Sequence, residues 1–194
     1  MRTRSITLLF ALLFGFIISF AQIGHLKFKG VPIDGTLNSF TSKLTKKGFS
    51  VIQKGDNTTL MNGSFAGQND CLAYIFRDEK IDVVNGVVLY FPSLDSWSAL
   101  EGQYNSIKDL LIEKYGKPAD VIEEFQSRVQ PRDDNSKLHE LKFDRCTYKT
   151  IFEIEEGRII LALAKLDYNE CCVSLVYADA INGTISRQSM LEDL

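Results

Sequence analysis

The chain has 194 residues, of which 45% are apolar and 24% carry charged side chains, and its net charge is −3. This composition is typical of globular proteins and excludes a disordered, a collagen-like or a multi-span membrane protein. The slight excess of acidic residues does not favour binding to nucleic acid or to an anionic membrane surface.

The first 21 residues have the pattern of an export signal. Two arginines precede an apolar run over residues 6–20, and small residues precede the expected cleavage after Ala21. A run of fifteen residues is short for a membrane span of about 20, which argues against a retained anchor. We therefore expect a periplasmic or secreted protein with no stable membrane anchor after cleavage, in which residues 22–35 form a flexible lead-in.

A first structural unit is predicted over residues 36–95. Apolar side chains recur at helical spacing between a capping residue, Thr36, and a terminating glycine, Gly48, which predicts a helix over residues 36–47. Four strand-like runs follow at residues 49–53, 58–65, 71–77 and 83–91, with turn residues between them.

A second unit with the same order is predicted over residues 96–180. An apolar stripe that begins at Trp97 predicts a helix to Tyr115, which Gly116 and Pro118 end. Strand-like runs return at residues 119–126, 141–154, 158–166 and 171–178. We therefore predict an α+β fold made by tandem duplication of a helix followed by a four-stranded antiparallel sheet, with residues 181–194 as a C-terminal tail.

Two segments resemble the helix-to-strand signatures of small exported α/β modules. They are residues 33–40 (IDGTLNSF), continued by L-x-x-x-G-F at 44–49, and L-x-x-x-Y-G-K-P at 111–118. The chain is thus similar to the repeats of beta-lactamase inhibitor protein, to the assembly lipoprotein of the outer-membrane Bam complex, and to uncharacterised secreted proteins of Bacteroides and its relatives. It lacks the lipid-anchor cysteine of the assembly lipoprotein. The resemblance implies a fold and a tendency to bind other proteins, and it transfers no catalytic residue.

Export would place the four cysteines, Cys71, Cys146, Cys171 and Cys172, in an oxidising compartment. Their spacing contains no Cys-x-x-Cys element, which argues against zinc. Strand alternation puts Cys146 and Cys171 on one apolar side, and we predict a disulfide between them. In a simple meander they would lie two strand spacings apart, about 9 to 10 Å, so the bridge requires the intervening strand to end before Leu166.

Familiar catalytic motifs are absent from the sequence. His25 falls in the predicted lead-in, and His139 is interpreted as a solvated residue beside Glu140 at the start of a strand, where the two side chains would point to opposite faces. The acidic run 133–135 lacks the glycine turn and closing glutamate of a calcium loop. We predict no metal site and no cofactor.

The polar stretch over residues 127–137 is the main departure of the second unit from the first. Long loops on a rigid scaffold often carry binding residues, although a tolerated surface insertion is the alternative. The residues that we predict to contact a partner are Arg128, Gln130, Arg132, Asp133 and Asp134.

The sequence therefore favours an exported, non-enzymatic binding module whose partner is another envelope or extracellular protein. Two alternatives stay open: a periplasmic or secreted hydrolase with an unrecognised site, and a structural component of the envelope. An enzyme should have a deep cleft with converging polar groups, whereas a binding module should have a shallow, partly apolar surface.

Overall fold

The computed structural model describes residues 24–167 and 170–191, and the predicted signal at residues 1–21 lies outside this part of the chain. Its helices are α1 (Leu37–Thr45), α2 (Trp97–Tyr115), α3 (Asp134–Lys142) and α4 (Ala180–Leu191). Its strands are β1 (Lys27–Phe28), β2 (Val31–Pro32), β3 (Ser50–Lys54), β4 (Thr58–Phe65), β5 (Gln68–Asp78), β6 (Val83–Tyr90), β7 (Asp120–Phe125), β8 (Cys146–Ile154), β9 (Gly157–Lys165) and β10 (Cys171–Asp179). No helix in the described ranges is long and apolar enough to cross a membrane.

Eight of the strands form one antiparallel sheet, in the order β3-β4-β5-β6-β10-β9-β8-β7. The prediction of a tandem duplication with two separate four-stranded sheets is therefore wrong. The halves join where β6 pairs with β10, with Leu89 opposite Leu175 and Val87 opposite Tyr177. Two separate sheets would each leave an apolar strand with unpaired backbone groups at an edge, and pairing β6 with β10 removes both edges.

The two predicted helices are present and cover one face of this sheet. Thr36 and Ser96 cap their N-termini through side-chain oxygens that accept hydrogen bonds from backbone amides. α1 buries Phe40 and Leu44 against the first half of the sheet. α2 lies on the second half, where the hydroxyl of Tyr104 forms a buried hydrogen bond with Thr150.

Residues 24–35, predicted as a flexible lead-in, pack against the core. β1 and β2 form a short hairpin in which the side chain of Phe28 is 1% exposed and stacks on Phe65, with 5.3 Å between ring centroids. The alternation of buried and exposed residues from Leu26 to Ile33 explains this, since one side of the hairpin is apolar.

Helices also replace two predicted irregular segments. Residues 180–191, predicted mostly as tail, form α4, and the second half of the 127–137 insertion begins α3. α3 extends to Lys142, so the strand predicted from residue 141 begins only at Cys146. A capping box starts α3 within the segment that was predicted as a loop. In it, the side chains of Asp133 and Ser136 each accept a hydrogen bond from the other residue's backbone amide.

Candidate functional site

The face of the main sheet opposite α1 and α2 is bordered by a helix only at one end, where Ser186 of α4 donates a hydrogen bond to Asp78 and Gly183 lies near Phe76. On β4, β5 and β6 its side chains are half-buried, while the alternating side chains on the helix side are almost all buried. We call this surface the open face. Its larger apolar residues are Leu60, Leu72, Tyr74, Phe76, Val88, Tyr90, Ile151, Ile160 and Val176.

An unbroken apolar row crosses six neighbouring strands of the open face. The strand register places its members directly opposite one another in the order Leu60, Tyr74, Val88, Val176, Ile160, Ile151. Six strands span five strand spacings, or about 24 Å. Such a row is much longer than the scattered single apolar residues that protein surfaces normally expose.

Two tyrosines form an aromatic pair within this surface. The rings of Tyr74 and Tyr90 meet edge to face, with 5.7 Å between centroids. Partial burial raises the pKa of Tyr90, so its hydroxyl stays neutral and can donate a hydrogen bond. Each tyrosine thus offers an apolar ring together with a polar tip.

Small residues occupy the open face on the central strands β9 and β10. Ala164 pairs with Cys172 and Ala162 pairs with Ser174. Cys172 is 0% exposed and Ser174 is 5% exposed, although no helix lies over them. Neighbouring side chains, such as Tyr90 opposite Ser174, therefore shield this part of the face.

Sequence reasoning did not select the open face as a site, although a signal for it is present. β5 is apolar at every position from Cys71 to Phe76, which is typical of a strand with apolar side chains on both faces. The strand pattern alone does not show whether the same chain or a partner covers the second face, because this depends on how the helices and strands are arranged in the fold.

The five residues predicted to contact a partner have diverse roles in the structure. Asp133 caps α3, and the carboxylate of Asp134 accepts hydrogen bonds from the backbone amides of Trp97 and Ser98 at the start of α2. The side-chain amide of Gln130 donates to the carbonyls of Phe125 and Ser127, whereas Arg128 and Arg132 are exposed.

A polar cluster connects the start of this segment to α3. Arg145 donates two hydrogen bonds to the carboxylate of Glu140, at 3.0 and 2.9 Å, and the Ser127 hydroxyl donates to the same carboxylate. These bonds, mainly those from Arg145, lower the pKa of Glu140 to about 2. His139 lies on α3 and contacts Arg145 and Phe143 rather than Ser127. The cluster therefore lacks the serine–histidine contact that nucleophilic catalysis requires.

The predicted disulfide between Cys146 and Cys171 is absent, and all four thiols are free. Lys165 on β9 lies opposite Cys171, and extending the β8–β9 register places Cys146 opposite the same residue. The two cysteines are thus two strand spacings apart, about 9 to 10 Å, beyond the reach of a disulfide. Burial raises the pKa of Cys146 and of Cys172 to about 12, so these thiols are protonated and poorly nucleophilic at neutral pH.

Two surface depressions lie outside the open face or at its border. One, of about 450 Å³, lies between α4 and the β8–β9 turn, and another, of about 440 Å³, lies between the N-terminal segment and the end of α2. Among residues 24–167 and 170–191, no group of three or more histidine, cysteine or acidic side chains is arranged to hold a metal ion.

Comparisons with protein-family models, with curated proteins and with solved structures gave no match for this chain. The resemblance to exported α/β modules therefore stays an expectation from the sequence.

Proposed function

We propose that this protein is an exported binding module that holds a folded protein partner on its open face. The observation that carries the proposal is the continuous apolar row from Leu60 to Ile151, which lies on regular strands and is bordered by α4 at one end. A rigid sheet presents such a surface at little conformational cost on binding.

The size of the open face favours a protein over a small ligand. Eight strands of about seven residues give a surface of roughly 34 by 24 Å, or about 800 Å². This is close to the area that one partner buries in a standard protein–protein interface. A small molecule would instead require a concave pocket that encloses most of its surface.

The residue types on the open face also favour a protein partner. Tyrosines are enriched at the centres of interfaces, and here Tyr90 lies opposite Ser174 while Tyr74 packs against the Tyr90 ring from the next strand. Charged residues stand towards the β7 edge, where Glu124, Lys149 and Asp120 form a polar border. An apolar centre with a polar border is the usual anatomy of a protein interface.

The test is site-specific photo-crosslinking in the exported protein. A photoreactive amino acid at Val88 should crosslink to a discrete partner, whereas the same amino acid at Ile112, an apolar residue exposed on α2, should not. In the captured complex, Val88→Lys should weaken binding at least tenfold, because it would place an unpaired charge within the interface. Ile112→Lys is the matched control.

Three results would contradict the proposal: crosslinks from Ile112 equal to those from Val88, full binding by a folded Val88→Lys variant, or no crosslinked protein from either position. A partner that is lost on substitution of Arg128 and Arg132, and not of Val88, would instead assign binding to the 127–137 segment.

A further inference from the structure

A second candidate binding site lies on the helix side of the sheet, beside the C-terminal half of α2. We call it the α2 cleft. Its apolar part has a volume of about 150 Å³ and is lined mainly by Phe65, Ile107, Leu110, Leu111, Leu175 and Tyr177. A space of this volume is large enough for a benzene ring or a short alkyl chain.

A polar depression of about 440 Å³ adjoins the apolar part, because Lys114 and Tyr115 line both. Its other charged or titratable members are His25, Lys27 and Glu156. Neither lysine forms an ion pair among the described residues, and Lys114 lies only over the Tyr115 ring, 4.8 Å from its centroid. The opening thus presents two lysines without ion pairs beside one carboxylate, that of Glu156, although the whole chain is acidic.

The inner wall of the cleft is formed by an aromatic ring. Tyr177 is 4% exposed, and its ring contacts Phe28 and Phe65. An alkyl chain in the cleft would therefore pack against a fixed apolar surface.

We infer that the α2 cleft binds a small anionic amphiphile, with its chain in the apolar part beside Tyr177 and its carboxylate at Lys27 and Lys114. The apolar wall provides the affinity for the chain, and the two lysines select the charge of the head group. The ring nitrogens of His25 contact the carboxylates of Asp179 and Asp34. His25 therefore lines the depression but is not assigned to the carboxylate of the ligand.

Titration calorimetry with three eight-carbon probes on the exported chain tests this inference. Octanoate should bind saturably at a single site, octanol at least tenfold more weakly, and octylammonium without saturation up to about 10 mM. Charge reversal by Lys27→Glu with Lys114→Glu should weaken octanoate binding at least tenfold. Lys117→Glu, just beyond the end of α2 and outside the cleft, is the matched control and should bind normally.

The inference is overturned by equal affinities for octanoate and octylammonium, by octanoate binding that survives the double charge reversal, or by no saturable binding of octanoate. Val88→Lys lies on the other side of the sheet and should leave octanoate binding unchanged, so this test does not depend on the proposed function.

Discussion

At the scale of single residues, Asp179 joins three parts of the chain. Its buried carboxylate accepts hydrogen bonds from the backbone amides of Leu26, at 2.7 Å, and of Asn182, at 2.9 Å, and contacts the ring of His25 at 3.0 Å. It therefore caps α4 and fixes the N-terminal segment to the end of β10.

We expect Asp179→Ala to destabilise the protein by about 2–4 kcal/mol, because two backbone amides lose their acceptor in a buried place. Asp179→Asn keeps one acceptor oxygen and should cost less. Denaturant unfolding measures both, and Asp34→Ala, a half-buried neighbour of His25, is the control with a small effect. Equal stabilities of the Asp179→Ala and Asp34→Ala variants would contradict this role.

Glu140 should contribute to the acid sensitivity of the fold. Its pKa of about 2 lies below its ordinary value of 4.5, so its stabilising contribution is fully present above pH 4.5 and is lost as the pH falls through 2. Stability should therefore fall with acidification in this window, and Glu140→Gln should flatten that part of the pH profile. Unfolding measured between pH 5 and about pH 2 tests this, with Glu113→Gln on the exposed side of α2 as the control.

The cysteines offer a direct chemical test. We expect all four to react with iodoacetamide after unfolding without reductant, because no disulfide connects them. In the folded protein Cys172 should react very slowly, since burial both shields it and raises its pKa to about 12. Peptide mapping of the alkylated protein shows which cysteines have reacted. A thiol that requires reductant before it reacts would contradict the absence of disulfides.

At the scale of elements, close approach between strands determines where a glycine is required. A Cβ atom on Gly157, which has φ of +154°, would lie 2.2 Å from the carbonyl oxygen of Ala178. Gly183 in α4 has open space around it, with no heavy atom within 4 Å of an added Cβ. The two glycines should therefore respond to substitution with opposite signs.

We expect Gly157→Ala to destabilise the protein by about 1–3 kcal/mol through strain at the β8–β9 turn. Gly183→Ala should stabilise it by about 0.5–1 kcal/mol, because alanine favours the helical state. Thermal and denaturant unfolding of the two variants provide the comparison. Stabilisation by Gly157→Ala would show that β10 does not approach the turn as closely as described.

At the scale of the whole molecule, the pairing of β6 with β10 makes the two halves one cooperative unit. Leu175 is fully buried between Leu89 and Leu161 on the neighbouring strands, so Leu175→Ala should cost about 2–5 kcal/mol. Val121→Ala, on the exposed edge strand β7, is the control and should cost little.

Both halves should also unfold together in the wild type and in the Leu175→Ala variant. Fluorescence of Trp97, the single tryptophan, reports on the second half, and hydrogen exchange in β4 reports on the first. The two probes should give the same denaturant midpoint. Separate midpoints would mean that the halves unfold independently, which would contradict the continuous sheet.

Local pattern was sufficient to predict most elements. The predicted strand over residues 58–65 coincides with β4, and Thr36 caps α1 as expected, because strand alternation and helix capping depend on neighbouring residues alone. α3 was missed because the polar side chains around Asp133 indicate a loop as readily as a capped helix. α4 was missed because Gly183 lowers helix propensity, while Asp179 and the burial of Asn182 support the helix through contacts distant in sequence.

The sequence was sufficient to predict the order and approximate positions of the two main helices and the eight long strands, since periodicity is a local property of the chain. The pairing of β6 with β10, the joining of all eight strands in one sheet and the separation of Cys146 from Cys171 became evident only from the folded structure. Strand pairing is decided by competition between distant partners for the same backbone hydrogen bonds, and local pattern does not encode its outcome. The open face and the α2 cleft follow from that pairing, because it sets which apolar side chains the helices cover and which stay accessible.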